Sequence, residues 1–326
     1  MKKQPQCCNY QLRSTSGGAL ILTKNMTKLF YLTVTLCLFF TQSISAQTTD
    51  LLRQKLQDIV STKNATVGIS IVGNKGKDTL SMNGDKDFPL QSVFKFHIAL
   101  AVLSQIDEGK FSLKQQIKIE KKDLLPNLYS PIRDKYPDGA TLTLAEILEY
   151  TVSASDNVGC DLLLNLIGGP PIVQDYFVKN GCKDVSIRTN EEMQQAHWDL
   201  QFQNWTTPNA ANYVLSKFYK NKPKLLSRKR YKFIWKVMKG TQTGKNRLKG
   251  QLPPNTVVAH KTGTSGTNKA GLTAAVNDIG IVFLPNGRYF FISVFVTNSK
   301  ENAETNEKII ADVAKAAWDY FTNKTK

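Results

Sequence analysis

The amino-acid sequence predicts an α/β (α+β) fold in which a five-stranded antiparallel sheet, flanked by helices, is assembled from both ends of the chain. Strand patterns occur twice near the start and three times near the end, whereas residues 92–240 show almost only helical periodicity. The chain has 326 residues, enough for one large domain or two lobes. The helical middle is therefore predicted to be an all-helical lobe inserted between the two parts of the sheet.

The composition excludes several classes of protein. Apolar residues make up 41% of the chain and charged residues 21%, which excludes a mostly disordered protein. The formal net charge is +17, and +12 remains when the five basic residues of 1–46 are removed. Because the lysines are scattered along the sequence and no basic run has interleaved aromatics, we expect a solvated basic surface and no nucleic-acid partner.

Residues 1–46 have the features of a signal peptide with an N-terminal extension. An apolar run over 29–40 follows basic residues and precedes the small residues of 43–46. The run is too short to span a bilayer comfortably as a helix. We expect cleavage after Ala46, a periplasmic or secreted protein over 47–326, and no stable membrane insertion after cleavage.

Two cysteines, Cys160 and Cys182, remain after this cleavage. They can pair in an oxidising compartment or stay as two separately buried thiols. The sequence leaves both alternatives open.

The first elements of the mature chain are a helix and two strands. Apolar residues at helical spacing predict the helix over 50–62. The patterns of 66–72 and 78–82 predict strands, which are joined by the turn sequence Gly73-Asn74-Lys75-Gly76.

The middle and the end of the chain supply the other elements. Helical spacing predicts helices over 93–106, 144–150, 157–166, 172–179, 209–219 and 231–238. Strand patterns follow over 256–260, 272–284 and 289–297, and a closing helix over 301–322 has one apolar face. The sequence Asn286-Gly287 predicts a hairpin turn between the last two strands.

These elements define two predicted lobes. The sheet lobe comprises 47–90 and 250–326, and the helical lobe comprises 91–249. Ligand sites favour the interface between such lobes.

Ser92 and Lys95 form a Ser-x-x-Lys motif at the start of a predicted helix. The i,i+3 spacing places the hydroxyl and the amine on one helical face. A serine hydroxyl is a poor nucleophile at neutral pH, and a lysine whose pKa is lowered by burial or a nearby cation can act as its base. By itself the motif is weak, because an N-cap serine followed by a surface lysine gives the same pattern.

The second motif is Ser155-Asp156-Asn157, directly before another predicted helix. The hydroxyl of Ser155 can pass a proton, and the amide of Asn157 can hold a substrate amide. The same residue types are also common helix N-caps.

The third motif, Lys261-Thr262-Gly263, lies at the end of a predicted strand. If this strand is at the edge of the sheet, the backbone N–H of Thr264 can point at a ligand oxygen. Lys261 and Thr262 would then supply a cation and a hydroxyl beside it.

The three motifs in this order are the signature of class A β-lactamases and penicillin-binding proteins. The sequence resembles a class A serine β-lactamase over about 47–326, in the extended-spectrum cephalosporinase branch of Bacteroidetes-type bacteria. The segments 188–193 and 203–208 resemble the start and the end of that family's omega loop. The resemblance implies a β-lactamase/transpeptidase-like fold, no cofactor, and a monomer that hydrolyses penicillins and cephalosporins and confers resistance to them.

The resemblance also implies catalytic roles. Ser92 would attack the β-lactam carbonyl and become acylated, and Lys95 would accept or relay its proton. Ser155 would pass a proton to the departing lactam nitrogen, and Glu191 would activate the water that hydrolyses the ester. Whether Lys95 or Glu191 is the base in acylation stays open, and Glu192 is the competing candidate for deacylation.

Substrate contacts follow from the same resemblance. The backbone N–H groups of Ser92 and Thr264 would form the oxyanion hole, and Lys261 with Thr262 would bind the substrate carboxylate. Further contacts are implied for Asn157, which would hold the side-chain amide of the substrate, and Tyr129, which would form a stacking wall at the entrance.

The sequence departs from the family pattern at the carboxylate-binding arginine of many members, where it has Ala270. We expect Arg247 to replace that arginine. Lys269 is the alternative, but alternation along a strand would turn Lys269 away from the face of Ala270.

The omega loop departs from the family pattern in three ways. Glu192 stands where proline is frequent, and Gln195 stands where an asparagine usually helps to hold the water. If the omega loop follows a different path from that of the family, we expect Gln194 to hold this water in place of Gln195. Thr189 and Asn204 replace an arginine and an aspartate, so they cannot form the usual salt bridge.

Rival functions are a penicillin-binding D-alanyl-D-alanine carboxypeptidase or transpeptidase, a non-catalytic β-lactam sensor, and an exported basic protein that binds anionic surfaces. Glu191 argues against the first two, which need no deacylating base. The histidines His97, His197 and His260 have no metal-ligand spacing, so no metal is expected.

Overall fold

The computed structural model describes residues 49–323, and the predicted signal peptide lies outside the described residues. Its helices are α1 (49–61), α2 (Phe94–Asp107), α3 (Pro131–Lys135), α4 (Leu144–Ser153), α5 (Asn157–Ile167), α6 (Pro170–Lys179), α7 (Glu191–Ala196), α8 (Pro208–Lys220), α9 (Arg228–Lys239) and α10 (Ala303–Asn323). Its strands are β1 (Thr66–Gly73), β2 (Asp78–Met82), β3 (Phe88–Pro89), β4 (Gln116–Glu120), β5 (Gly139–Thr143), β6 (Val185–Ser186), β7 (Trp205–Thr206), β8 (Val258–Thr264), β9 (Thr273–Phe283) and β10 (Tyr289–Ser299).

A five-stranded antiparallel sheet with the order β2-β1-β10-β9-β8 forms the centre, which confirms the predicted fold class. The first strand therefore pairs with the last, so the two ends of the chain share one sheet. From Leu52 onward the chain forms one compact unit. Strand β8 is at the sheet edge, as the third motif requires.

Period-two alternation along β10 places apolar residues on both faces of the sheet. Phe290 and Ile292 belong to a core cluster with residues of α1 and α10, and Phe290 stacks on Phe321 with ring centroids 4.8 Å apart. Phe291 and Phe295 belong to the other core cluster, together with residues of α2 and α8. Helices thus cover both faces, which is why β9 and β10 are buried over nearly their whole length.

Helix α2 is buried on nearly all sides, including the polar residues Lys95 and His97 in its first turns. Burial lowers the pKa of His97 to about 4, so this imidazole is neutral at physiological pH. Lys95 is a buried cation and needs partners, which the neighbouring elements provide.

The structure differs from the predicted elements at β8 and inside 91–249, where the lobe predicted to be all-helical also contains strands. Strands β4 and β5 pair there in an antiparallel two-stranded sheet, and β6 and β7 lie in the same region. Strands β3, β6 and β7 have two residues each, too few for a periodic pattern, and together form a small sheet of their own. Strand β8 begins at Val258 and continues through Thr264, whereas the predicted strand ended at His260.

Cys160 and Cys182 are both buried free thiols, so the second of the two alternatives for the cysteines holds. Among residues 49–323, no helix combines the length and apolar character needed to cross a bilayer.

Candidate active site

Ser92 lies in a short 3-10 turn, Gln91–Val93, that leads directly into α2. Gln91 has a φ of 46°, a left-handed conformation that a non-glycine residue adopts only when its surroundings hold it there. The side-chain amide of Asn277 on β9 does so, because it donates to the carbonyl oxygens of Pro89 and Leu90 at 2.8 and 3.2 Å. The position of Ser92 is therefore tied to the central sheet.

Gly263 of the third motif brings β8 against this turn. A Cβ on Gly263 would lie 2.5 Å from the carbonyl oxygen of Leu90 and 3.1 Å from the Cβ of Gln91. Only glycine fits at this contact, so the third motif needs a glycine to bring Thr262 and Thr264 close to Ser92.

The ammonium group of Lys95 lies at the centre of the site and is fully buried. Its Nζ donates to Ser92 Oγ at 2.7 Å, to Asn157 Oδ1 at 2.5 Å and to the carbonyl oxygen of Ser155 at 3.0 Å. It also lies 2.7 Å from Glu191 Oε1. An ammonium has three donors, and these bond to Ser92, Asn157 and Ser155, so Glu191 Oε1 is in charge contact with Lys95 and has no hydrogen bond of its own among residues 49–323.

A second buried lysine lies behind Ser155. Lys261 Nζ donates to Ser155 Oγ at 2.9 Å and to the carbonyl oxygen of Thr262 at 2.9 Å. Burial, with the nearby charge of Lys95, holds the pKa of Lys261 well below its usual range. Each of the two serine hydroxyls at the site therefore accepts a hydrogen bond from a buried lysine.

Asp156, between Ser155 and Asn157, fixes this motif at the start of α5. Its carboxylate accepts hydrogen bonds from the backbone N–H of Gly159 at 2.7 Å, the N–H of Ile132 at 2.7 Å and the hydroxyl of Ser130. Burial raises the pKa of Asp156. The N-cap interpretation of the motif is therefore correct for Asp156.

Glu191 begins α7, and its own backbone is anchored by a residue that the sequence analysis missed. The backbone N–H groups of Glu191 and Glu192 donate to Asp161 Oδ1 and Oδ2 at 2.8 and 3.0 Å. Asp161 lies one helical turn after Asn157 on α5, and this i,i+4 spacing was the only signal in the sequence. The side chain of Glu191 is buried beside Lys95, whereas Glu192 is exposed.

A neutral clasp closes the omega loop. Asn204 Oδ1 accepts from the N–H groups of Arg188 and Thr189 at 2.7 and 3.0 Å, and its Nδ2 donates to the carbonyl oxygen of Thr189 at 2.9 Å. Three hydrogen bonds made by one buried amide therefore join the two ends of the loop. They stand where the family pattern has a salt bridge, which Thr189 and Asn204 cannot form.

Two cavities of about 300 and 280 Å³ meet at Ser92. The first is lined by Ser92, Tyr129, Ser155, Asn157, Thr243, Arg247, Thr262 and Thr264. The second is lined by Gln91, Ser92, Asn157, Glu191, Gln194, Gln195, Trp198, Gln201, Thr264, Ser265 and Gly266. Thr243 was not predicted, and its hydroxyl is 2.6 Å from that of Thr262.

Arg247 reaches the first cavity from a buried position. Its guanidinium donates to Thr264 Oγ1 at 2.7 Å and to the carbonyl oxygens of Gly263 and Asn277 at 3.0 Å, and it pairs with Glu307 at 3.1 Å. This planar group is therefore held rigidly beside Thr264.

The strand alternation argument for Lys269 is wrong. Residues 268–271 form a turn, in which the N–H of Ala270 donates to Asn268 Oδ1, and Lys269 and Ala270 are both exposed. Lys269 does not line either cavity.

Gln194 and Gln195 both line the second cavity, but they differ in burial. Gln194 is partly buried, and its Nε2 donates to the carbonyl oxygen of Asn190 at 3.2 Å. Its buried Oε1 has no hydrogen-bond partner among residues 49–323. Gln195 is exposed.

The ammonium of Lys95 thus brings together residues from three separate parts of the sequence: Ser92, then Ser155 with Asn157, and Glu191. Tyr129, Arg247, Thr262 and Thr264 line the adjoining cavity, and Lys261 lies behind Ser155 rather than on the cavity wall.

Comparison with known proteins agrees with this arrangement. The sequence model described as the beta-lactamase enzyme family matches residues 51–321. The chain is 55% identical to beta-lactamase VEB-1 of Pseudomonas aeruginosa over an alignment of 293 residues. The alignment covers 90% of this chain and 98% of that protein. It is 44% identical to extended-spectrum beta-lactamase PER-1 of the same species, over 84% of this chain and 88% of that protein.

Solved structures give the same result. The crystal structure of the TLA-1 extended-spectrum beta-lactamase matches with a TM-score of 0.81 and 47% identity, over 84% of this chain and 99% of that one. A class A beta-lactamase from Bacteroides cellulosilyticus matches with a TM-score of 0.81 and 37% identity, over 85% and 99% of the two chains.

The carboxyl group of Asp161 predicts a pH dependence of stability. Burial and the charge of Glu191 raise its pKa from 3.8 to about 7, so between these values the folded protein binds a proton that the unfolded chain has lost. This contribution to the free energy of unfolding therefore falls as pH rises to about 7 and is constant above it. In Asp161→Asn the free energy of unfolding should rise relative to that of the unmodified protein across this range.

Urea unfolding at several pH values between about 4 and 8 measures this difference. The hydrogen bond lost in the variant adds an offset that does not change with pH, so only the slope matters. A difference between the two proteins that stays constant with pH would contradict the role given to Asp161.

Proposed function

Since the chain belongs to the class A serine β-lactamases and hydrolyses β-lactams, we propose that it acts through an acyl-enzyme on Ser92. The observation that carries this proposal is the buried Lys95 ammonium, which contacts both Ser92 Oγ and Glu191 Oε1 at 2.7 Å. Penicillins and cephalosporins are the proposed substrates, and hydrolysis would confer resistance to them. Membership in this family leaves the transpeptidase, the sensor and a binding protein without catalytic activity as alternatives that nothing supports.

In the proposed acylation, Ser92 Oγ bonds to the lactam carbonyl carbon while its proton passes to Lys95 as a neutral amine or, when the Lys95 ammonium gives one of its own protons to Glu191, by way of Lys95 to that carboxylate. Ser155 then delivers a proton to the lactam nitrogen as the carbon–nitrogen bond breaks, and Lys261 resupplies Ser155. The proton gained from Ser92 then replaces the one that Lys261 loses through Ser155, so Glu191 is a carboxylate when deacylation begins. Backbone N–H groups of Ser92 and Thr264 would stabilise the oxyanion, an effect worth about 2.7–4 kcal/mol per donor in comparable sites.

In the proposed deacylation, Glu191 takes a proton from a water that attacks the ester carbonyl. The bond between Ser92 Oγ and the acyl carbon breaks, Ser92 Oγ takes a proton from Lys95, and Lys95 regains one from Glu191, which gained it from the water. Burial of Glu191 beside the cavity and exposure of Glu192 support Glu191 as this base. The geometry supports Gln194 as a second ligand of the water, because its free Oε1 accepts a hydrogen bond that the exposed Gln195 is less well placed to accept.

Substrate would occupy the cavity lined by Tyr129, with its side-chain amide on Asn157. We place the substrate carboxylate near Thr262 and Arg247, with Thr243 as an additional donor. Two donors of Lys261 are used inside the protein, on Ser155 and on the carbonyl oxygen of Thr262, so Lys261 would support the carboxylate site mainly by holding these two residues.

Export to the periplasm belongs to the same proposal. Its support is the order of basic, apolar and small residues in 1–46, outside the described residues. A β-lactamase in that compartment would meet its substrate before the substrate reaches the cell-wall enzymes.

Glu191→Gln keeps the size of the side chain but removes the base, so acyl-enzyme should accumulate on Ser92. Mass spectrometry of the intact protein after mixing with a cephalosporin, followed by peptide mapping, locates the adduct. Ser92→Ala should form no adduct and hydrolyse no nitrocefin. Glu192→Gln is the matched control and should turn over normally; accumulation in this control instead, or an adduct on another residue, would refute the assignment.

Gln194→Ala should slow deacylation about tenfold, the equivalent of one neutral hydrogen bond to the attacking water. The matched variant Gln195→Ala removes an exposed amide from the same cavity and should stay within about threefold of the unmodified enzyme. Single-turnover decay of the acyl-enzyme measures both rates. A larger loss of deacylation rate in Gln195→Ala than in Gln194→Ala would show that Gln195, and not Gln194, binds the attacking water.

Arg247→Ala should lower kcat/KM by raising KM, because the variant loses a charged hydrogen bond to the substrate carboxylate that is worth about 1.5–3 kcal/mol. Steady-state kinetics on Lys269→Ala provide the comparison, and that exposed lysine should be nearly neutral. Thermal unfolding of both variants separates loss of binding from loss of fold. An unchanged kcat/KM in the first variant with a large loss in the second would contradict the assignment.

A further inference from the structure

The surface of α9 carries a line of exposed lysines. Lys229, Lys232, Lys236 and Lys239 follow one another at intervals of three, four and three residues, so they lie on one face of the helix. The line is about 15 Å long, at 1.5 Å of rise per residue. We call these four residues the lysine stripe.

The lysine stripe has no internal counter-charge. The sequence contains no Asp or Glu between Asp199 and Asp278, and within the described part of the chain none of the four lysines forms an ion pair. Arg230 of the same helix pairs with Asp107, but its side chain is turned inward and lies off the stripe. The one aromatic contact of the stripe is Lys239 Nζ, 4.8 Å from the centroid of the Phe283 ring.

The stability of α9 explains only part of this arrangement. Lys236 and Lys239, in the last turn, interact favourably with the helix dipole, but Lys229 in the first turn opposes it, and like charges three and four residues apart repel each other. The same chain uses the opposite pattern on α10, where Lys308 pairs with Asp312 and Lys315 with Asp319 at i,i+4 spacing. The uncompensated charge of the lysine stripe therefore needs an explanation outside the fold of the helix.

We propose that the lysine stripe, extended by the exposed Lys222 and Lys224 of the preceding loop, docks the protein on an anionic lipid bilayer. Lysine ammonium groups are hydrated point charges on flexible stems, which suits a diffuse layer of phosphate headgroups. Tyr231 and Phe233 on the same helix are partly buried and Trp235 is buried, so α9 itself presents no exposed aromatic for stacking on bases. Charge complementarity with lipid is therefore favoured over nucleic acid.

Docking through this face leaves the active site intact. None of these lysines lines either cavity at Ser92. Enzyme bound in this way would be concentrated at the membrane surface, where a substrate that has crossed the envelope meets the cell-wall enzymes.

Co-sedimentation with phosphatidylglycerol–phosphatidylcholine vesicles tests the proposal. The test variant carries Lys229→Gln, Lys232→Gln, Lys236→Gln and Lys239→Gln. The control variant carries Lys77→Gln, Lys86→Gln, Lys114→Gln and Lys300→Gln, four exposed lysines with the same total change in charge. All proteins carry the same N-terminus, so lipid binding by the apolar run 29–40 is common to them.

The stripe variant should lose at least about tenfold in vesicle affinity, the control should lose much less, and both should hydrolyse nitrocefin normally. Binding should also weaken as salt is added. Equal losses in the two variants, or no binding of the unmodified protein, would overturn the proposal. Tighter binding to an oligonucleotide than to the vesicles, lost in the same stripe variant, would assign the stripe to a nucleic-acid partner instead.

Discussion

The buried ammonium of Lys95 is the constraint on which the rest of the site depends. A charge without water must be surrounded by hydrogen-bond acceptors, and here these come from three separate parts of the chain. Ser92 comes from the turn before α2, Ser155 from the turn before α5, Asn157 from the first position of α5, and Glu191 from the start of α7. These four acceptors together surround the three donors of the ammonium, so the elements that carry them must pack together for the site to form.

Further contacts fix the turns and helices that carry the residues around Lys95. Asn277 ties the Ser92 turn to the sheet, and Gly263 allows β8 to approach it. Asp161 holds the start of α7, and Asn204 closes the loop that carries Glu191.

Much of this could be predicted from the sequence, because periodicity reports burial and the main strands and helices have clear periods. The limits have physical causes. Strand β8 extends past His260 because its pairing with β9 continues through polar residues that carry no alternation. The anchor at Asp161 depends on a contact 30 residues away in sequence. The turn at Ala270 is local, held by Asn268, and a turn of this kind has no apolar period. The scattered lysines of 229–239 become one line only when the helix forms.

Separate rate constants for the two half-reactions in Lys95→Met would show whether one ammonium serves both Ser92 and Glu191. Rapid-quench mass spectrometry with a slowly hydrolysed cephalosporin gives the formation and the decay of the acyl-enzyme, and circular dichroism verifies the fold. Both rate constants should fall by at least about a hundredfold, because Lys95 contacts the nucleophile and the deacylating carboxylate alike. Acylation at the normal rate, or normal decay of an acyl-enzyme once formed, would contradict this shared role.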